Sequence, residues 1–278
     1  MKGILFAGRH ASQRLPLLFD EEPPPNLTSD PQLLDFSLAV LMQTGVREIC
    51  LVAPVGQLPT LRAEYGLGDH LGLSLSYQAD HPDLAGLLTS LSSWLSDHPV
   101  AVVQGDFLLA GEHLATQLRL AIPRHGASTL AYRLPQPAAE DPLASTRPSV
   151  ALCGVSMYDE RFTAFAQGLE PAPVVNSLLE LQRIYLRQGS LQVVMLDPSI
   201  VCLDCSARES LLAASLFIQM WERSTGRKLA CLEEIALHND IIDLDAFDQL
   251  LDRVNCPHKR SYLKRIRRQE SSYRRRAA

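Results

Sequence analysis

The chain has 278 residues, 46% of them hydrophobic and 21% charged, an ordinary globular composition that excludes collagen-like and disordered readings and is long enough to bury a large core. No apolar run reaches the roughly 18 residues of a membrane span, and the opening Met1-Lys2-Gly3-Ile4-Leu5-Phe6-Ala7 turns polar too early for a secretory signal. A cytoplasmic protein with no membrane partner is expected. The net charge of −5 is uneven, because residues 259–278 carry nine Lys or Arg against the single acid Glu270.

In chain order, apolar runs of strand length at 3–7, 48–53, 73–77 and 100–104 alternate with helix-period segments at 31–44, 58–65 and 83–95. That rhythm predicts a doubly wound, Rossmann-like α/β sheet. Further strands are expected at 128–133, 150–157, 191–195 and 200–203, with helices at 159–167, 178–188 and 209–224, so that one core domain spans 1–225. From Gly226 onward only short helices are expected, at 232–238, 244–254 and 262–268, forming a helical cap over 226–268 with a basic tail at 269–278. Proline-rich stretches at 21–25 and 134–148 read as loops, since proline removes the backbone donors that helices and strands require.

The basic tail reads either as a solvated helix end with a frayed terminus or as a phosphate- or polyanion-binding element. Only Tyr262 and Tyr273 interrupt it, so nucleic acid is not an expected partner. The six cysteines sit mostly in apolar runs, as small buried hydrophobes do. Cys202-Leu203-Asp204-Cys205 has motif spacing, but with no second pair nearby a strand end is the expected reading rather than a zinc or redox site.

Met1 to Gly8 resembles the opening strand of the sugar nucleotidylyltransferases, which runs into a glycine-rich phosphate loop of the form GGxGTRL. The corresponding residues here are Gly8-Arg9-His10-Ala11-Ser12-Gln13-Arg14-Leu15, with two of the three glycines missing and the arginine one position late. Gly226-Arg227-Lys228-Leu229-Ala230-Cys231-Leu232-Glu233-Glu234-Ile235-Ala236 is similar to the GLKVACPEEIA of the glucose-1-phosphate thymidylyltransferase branch. Leu203-Asp204 with Glu209 to Ser215 resembles its WLDTGTxxSLLEA, Tyr185 to Leu191 its YLxxGxL, and Val103-Gln104-Gly105-Asp106 its VLGD. The order is kept over nearly the whole chain.

The resemblance implies a nucleotidyltransferase or glycosyltransferase-A-like fold, transfer from dTTP to a sugar 1-phosphate, and Mg²⁺ held by two aspartates, which map to Asp106 and Asp204. It implies nucleotide contacts at Gly8, Arg9, Ser12, Asp83 and Gly86, and a displaced catalytic arginine at Arg14. It also implies losses. Counting back from Leu41-Met42-Gln43-Thr44-Gly45, which matches LMLAG, the lysine of the family's KQLLPV falls near Pro23, beside Asp20, Glu21 and Glu22. No lysine occurs between Lys2 and Lys228. The lysine of the EKP segment has no counterpart because the chain is shorter after Arg133, and Arg147 has no pattern supporting it as a substitute. The base-reading glutamine of GLAQA maps to Gly86, and the sugar-contacting ELEITD maps to 175–180.

Together these features predict an impaired homologue that binds a nucleotide or sugar nucleotide and serves in regulation or assembly. An active Mg²⁺-dependent enzyme with altered substrate is the alternative, and polyanion binding through the tail the third. A homo-oligomer or association with another protein is expected, because the resemblance implies a branch that assembles through surfaces including its C-terminal helical region, and because the cap residues Ile235, Leu237, Ile241 and Ile242 need burying.

Overall fold

The apolar residues of β1 (Lys2–Phe6) and β4 (Val100–Gln104) build two cores at once, because successive side chains of a strand point to opposite faces. In the computed structural model, which describes residues 1–8, 32–134 and 150–277, Leu5, Ala101 and Val103 join the core on one face of the sheet. Ile4, Val100 and Val102 join the core on the other. β2 (Glu48–Ala53) divides the same way, with Ile49 and Leu51 on one side and Cys50 and Val52 on the other.

These strands belong to a seven-stranded sheet in the order β3-β2-β1-β4-β7-β6-β8, where β3 is Ser74–Ala79, β6 Ala127–Arg133, β7 Val150–Tyr158 and β8 Leu191–Met195. All neighbours are parallel except β7, which runs antiparallel to both β4 and β6. The mixed, Rossmann-like α/β architecture expected from the alternation is therefore present.

Helices α1 (Leu33–Gln43) and α2 (Leu58–Tyr65) cover the first face, and α3 (Leu84–Leu95), α5 (Phe162–Gln167) and α6 (Val174–Arg187) cover the second. The second face closes on an aspartate: Asp159 accepts from Tyr185 Oη at 2.8 Å, Gly126 N at 2.7 Å and Arg161 Nε at 2.9 Å. Although burial opposes ionisation, Arg161, Tyr185 and the two backbone donors hold the Asp159 carboxyl below its ordinary range.

A separate two-stranded ribbon pairs β5 (Phe107–Ala110) with β9 (Val201–Asp204) antiparallel. With α1 and α7 (Arg208–Thr225) it encloses a third core of Leu33, Phe36, Leu108, Cys205, Leu211 and Ile218. Neither β5 nor α4 (Leu114–Leu120) is expected from the sequence, because each is a single short apolar run without a full period.

The C-terminal cap consists of α8 (Leu232–His238), α9 (Leu244–Arg253) and α10 (Pro257–Ala277). The last helix is longer than the expected 262–268. Ion pairs hold its arginine-rich second half: Arg267 meets Asp248 of α9 at 2.7 Å, and Arg274 meets Asp240 at 2.6 Å and Glu270 at 2.8 Å. The cap also satisfies its own apolar residues, since Leu237 and Ile242 are buried in the first core and Ile235 and Ile241 pack on its edge. They need no partner chain, so the burial motive for an oligomer falls.

The cap lies against α1 around a group of buried charges. Lys259 Nζ pairs with Glu233 at 2.7 Å. Asp35 Oδ1 accepts from Tyr65 Oη at 2.8 Å and Asp35 Oδ2 from Gln32 N at 2.8 Å. Burial pushes the Asp35 carboxyl up to about 6, against the lowering effect of those two hydrogen bonds and of Lys259.

Candidate functional site

The sheet order reverses at β1, which has β2 and β3 on one side and β4 on the other. An open parallel sheet leaves a crevice at the carboxyl ends of its strands where the order reverses. Here that crevice is formed by Ala7-Gly8 after β1 and Gly105-Asp106 after β4.

The two strand exits are packed too closely for side chains. Gly105 N donates to Phe6 O at 2.8 Å. A Cβ on Gly105 would lie 2.8 Å from Phe6 O and 3.0 Å from Gly8 N. A Cβ on Gly8 would lie 1.7 Å from Asp106 Oδ1, so the Asp106 carboxylate rests directly on the Gly8 backbone. Glycine is required at both positions by approach rather than by dihedral angle. Gly105 is not among the site residues expected from the sequence; its signal was the Gly-Asp dipeptide ending an apolar strand.

Asp106 and Asp204 come to the same end of the β5–β9 ribbon. Phe107 pairs with Asp204 in the ladder, and Cys205 N donates to Asp106 O at 2.7 Å. Asp204 Oδ1 accepts from Ser206 N at 2.9 Å, forming a local turn before α7. The neighbouring thiols are protonated. Burial pushes Cys205 up to about 11, with Asp204 and Asp106 adding to the shift, and a contact with Cys153 together with burial raises Cys202 further. Among the described residues no group of three or more His, Cys, Asp or Glu side chains gathers as a metal cage.

Asp83 and Gly86 stand at the start of α3, which follows β3 and opens at the same edge of the sheet. Asp83 is the N-cap, accepting from Gly86 N at 2.8 Å. The space above Gly86 is taken by an imidazole that sequence reasoning passed over: a Cβ there would lie 2.0 Å from His81 Cε1. His81 Nδ1 accepts from Asp83 N at 3.3 Å and lies 3.4 Å from Asp83 Oδ2. A bridge between Asp83 and Pro173 brings the starts of α3 and α6 together.

Between α6 and the face of β4, β7 and β6 lies a cavity of about 110 Å³ that reaches Gln104, next to the Gly105-Asp106 turn. Its polar wall is already hydrogen-bonded: Gln182 Nε2 donates to Ser156 Oγ at 2.9 Å, and Ser156 Oγ to Thr129 Oγ1 at 3.0 Å. Burial pushes the Tyr158 phenol beside them up to about 12. Val175, Leu178 and Leu179 complete it. A larger cavity of about 570 Å³ is lined by residues of α1, β5, α4, α7, α8 and the segment joining the last two, including Arg119, Trp221, Lys228, Glu234 and His238, and by none of the site residues above. Arg9, Ser12, Arg14, Pro23 and Arg147 lie outside the described residues.

No protein-family model matches the chain. Curated relatives do. A glucose-1-phosphate thymidylyltransferase of Neisseria meningitidis is 27% identical over 96% of this chain and 99% of its own length. One from Mycobacterium tuberculosis is 28% identical over 94% and 96%. The chain is similar from end to end to the glucose-1-phosphate thymidylyltransferases. Solved structures agree on the fold. A Bacillus anthracis chain described as a glucose-1-phosphate thymidylyltransferase, in complex with sucrose, superposes with a TM-score of 0.58 at 17% identity over 78% of this chain and 95% of its own. A UDP-glucose pyrophosphorylase of Acinetobacter baumannii superposes with a TM-score of 0.54 at 14% identity, covering 80% and 97%.

Proposed function

We propose that this thymidylyltransferase-like chain binds a nucleotide or sugar nucleotide in the crevice around Gly8, Asp106 and Asp204, transfers nucleotidyl groups poorly or not at all, and acts in the cytoplasm as a regulatory or assembly protein. The observation that carries this reading is the placement of its lysines. There are four. Lys2 lies at the amino end of β1, bonded to the Trp94 carbonyl and 3.1 Å from Glu48. Lys228 pairs with Glu222 and Lys259 with Glu233, and Lys264 lies on α10. None follows β1 or β4 at the crevice, where nucleotidyl transfer gathers phosphate charge. Losing one preorganised charge-stabilising group costs roughly 10²–10³ in rate.

Two aspartates at one end of a ribbon are an oxygen-only donor set, and a cation that takes one or two carboxylates plus phosphate oxygens is the usual mode for Mg²⁺. Asp106 and Asp204 would hold it, and it would neutralise phosphate charge when bound. Their place at one end of the ribbon favours a second reading, an active Mg²⁺-dependent nucleotidylyltransferase with altered substrate. Polyanion binding through the basic terminus has less support, because Arg267 and Arg274 of α10 are engaged within the chain. In the leading reading, Asp83 holds the start of α3 in shape, and His81 rather than a side chain at position 86 meets the base.

Thermal shift with dTTP, UTP and dTDP-glucose in the presence of Mg²⁺ tests the binding claim. A ligand at about 100 times its Kd stabilises by roughly 2.7 kcal/mol. A shift that disappears in Asp106→Ala is expected; no shift with any nucleotide overturns the reading.

A further inference from the structure

Gln104 belongs to two places at once. It is the last residue of β4, one step before the Gly105-Asp106 turn of the crevice, and it lines the cavity of about 110 Å³ under α6. Side chains of a strand alternate between faces, so Gln104 follows Val100 and Val102 to the face that α6 covers. Those two valines are sealed in the core, whereas Gln104 is only half-buried. No hydrogen bond joins its carboxamide to the described residues. The other polar groups of the cavity are committed to one another, because Gln182 Nε2 donates to Ser156 Oγ and Ser156 Oγ to Thr129 Oγ1.

Most of the remaining wall is aliphatic. Leu152, Val175 and Leu179 line the cavity and are 36%, 56% and 41% exposed. Val175 and Leu179 stand one turn apart at the start of α6, which the bridge between Asp83 and Pro173 ties to the start of α3. Exposed apolar side chains gathered around a cavity, with one open polar group, are the makings of a ligand subsite. An unmodified hexose suits it badly, since hydroxyls taken out of water need partners and only the Gln104 carboxamide is open to pair. That carboxamide offers a donor and an acceptor, the complement of a secondary amide. At roughly 30 Å³ for each water-sized group, the cavity takes about four heavy atoms, the size of an acetamido group.

We infer that the ligand of the crevice is a sugar nucleotide whose sugar carries a short N-acyl group, with the acyl end in the cavity against Leu152, Val175 and Leu179 and the amide paired with Gln104. This rests on the crevice binding a sugar nucleotide and names the class of sugar it selects.

Isothermal titration of the full chain with Mg²⁺ and two matched pairs tests it: dTDP-glucose against dTDP-N-acetylglucosamine, and UDP-glucose against UDP-N-acetylglucosamine. In at least one pair the acetamido member should bind roughly tenfold more tightly, the combined effect of one hydrogen bond and one buried methyl. Gln104→Leu, which sets the leucine of the VLGD pattern at this position, should cut that preference to about threefold or less by removing the hydrogen bond. Leu179→Phe, a change at a partly exposed position that fills the cavity, should weaken the acetamido ligand by about tenfold. Both variants should keep the far-ultraviolet circular dichroism of the wild type. Glucose members that bind as tightly as their acetamido partners, or a preference that survives both substitutions, would overturn the subsite while leaving the crevice a sugar-nucleotide site. Binding of none of the four ligands would overturn both.

Discussion

The carboxylate of Asp106 stands where a side chain on Gly8 would have to begin, with Oδ1 1.7 Å from the ideal Cβ position. The pair joins the exit of β1 to the exit of β4 at the point where the sheet reverses. Nothing larger than glycine fits at position 8 unless Asp106 moves.

Gly8→Ala should therefore displace Asp106 and lower stability by roughly 1–3 kcal/mol, the usual cost of overpacking. Asp106→Ala removes the obstructing atoms, so the double variant should be less costly than the sum of the two single ones. Urea denaturation of the four proteins measures this coupling. Additive costs would show that the carboxylate does not lie over Gly8.

Stability at acidic pH should carry a mark of Asp35. Burial raises this carboxyl from 3.8 to about 6 in the folded chain, so the folded state holds its proton more tightly than the unfolded one. The contribution is fully present below about pH 4 and is lost as pH rises through 6. Asp35→Asn cannot titrate but keeps an oxygen for Gln32 N. The stability of the wild type relative to Asp35→Asn should fall between pH 4 and 6 and level off above. A difference independent of pH would contradict the buried, proton-holding environment.

Much of the fold is legible in the residues themselves. The alternation of Leu5 with Ile4 and of Val103 with Val102 announces a sheet covered on both faces, and its C-terminal edge follows from strands that run parallel. The ribbon is less legible: Phe107 to Ala110 is too short to carry a period, and its partner is nearly a hundred residues away. The second half of α10 has no apolar stripe after Ile266 and is held by Asp240 and Asp248, which only the fold brings within reach. At the site, Gly8 and Asp106 could be named from their motifs. His81 could not, because its place above Gly86 depends on a turn that no spacing rule encodes.

The central claim is that a thymidylyltransferase-like fold has been kept while the charge that nucleotidyl transfer needs has been lost from the crevice. The most direct measurement is the rate at which the purified chain forms dTDP-glucose from dTTP and glucose 1-phosphate with Mg²⁺. With Arg9 and Ala11 where the resemblance implies loop glycines, Pro23 near where it implies a lysine, and all four lysines elsewhere in the sequence, two independent losses alone would predict a rate roughly 10⁴–10⁶ below that of an intact relative. Pro23→Lys should recover little of it, because Asp20, Glu21 and Glu22 remain. Rapid turnover by the unmodified chain, abolished by Asp106→Asn or Asp204→Asn, would contradict the account and establish an active enzyme.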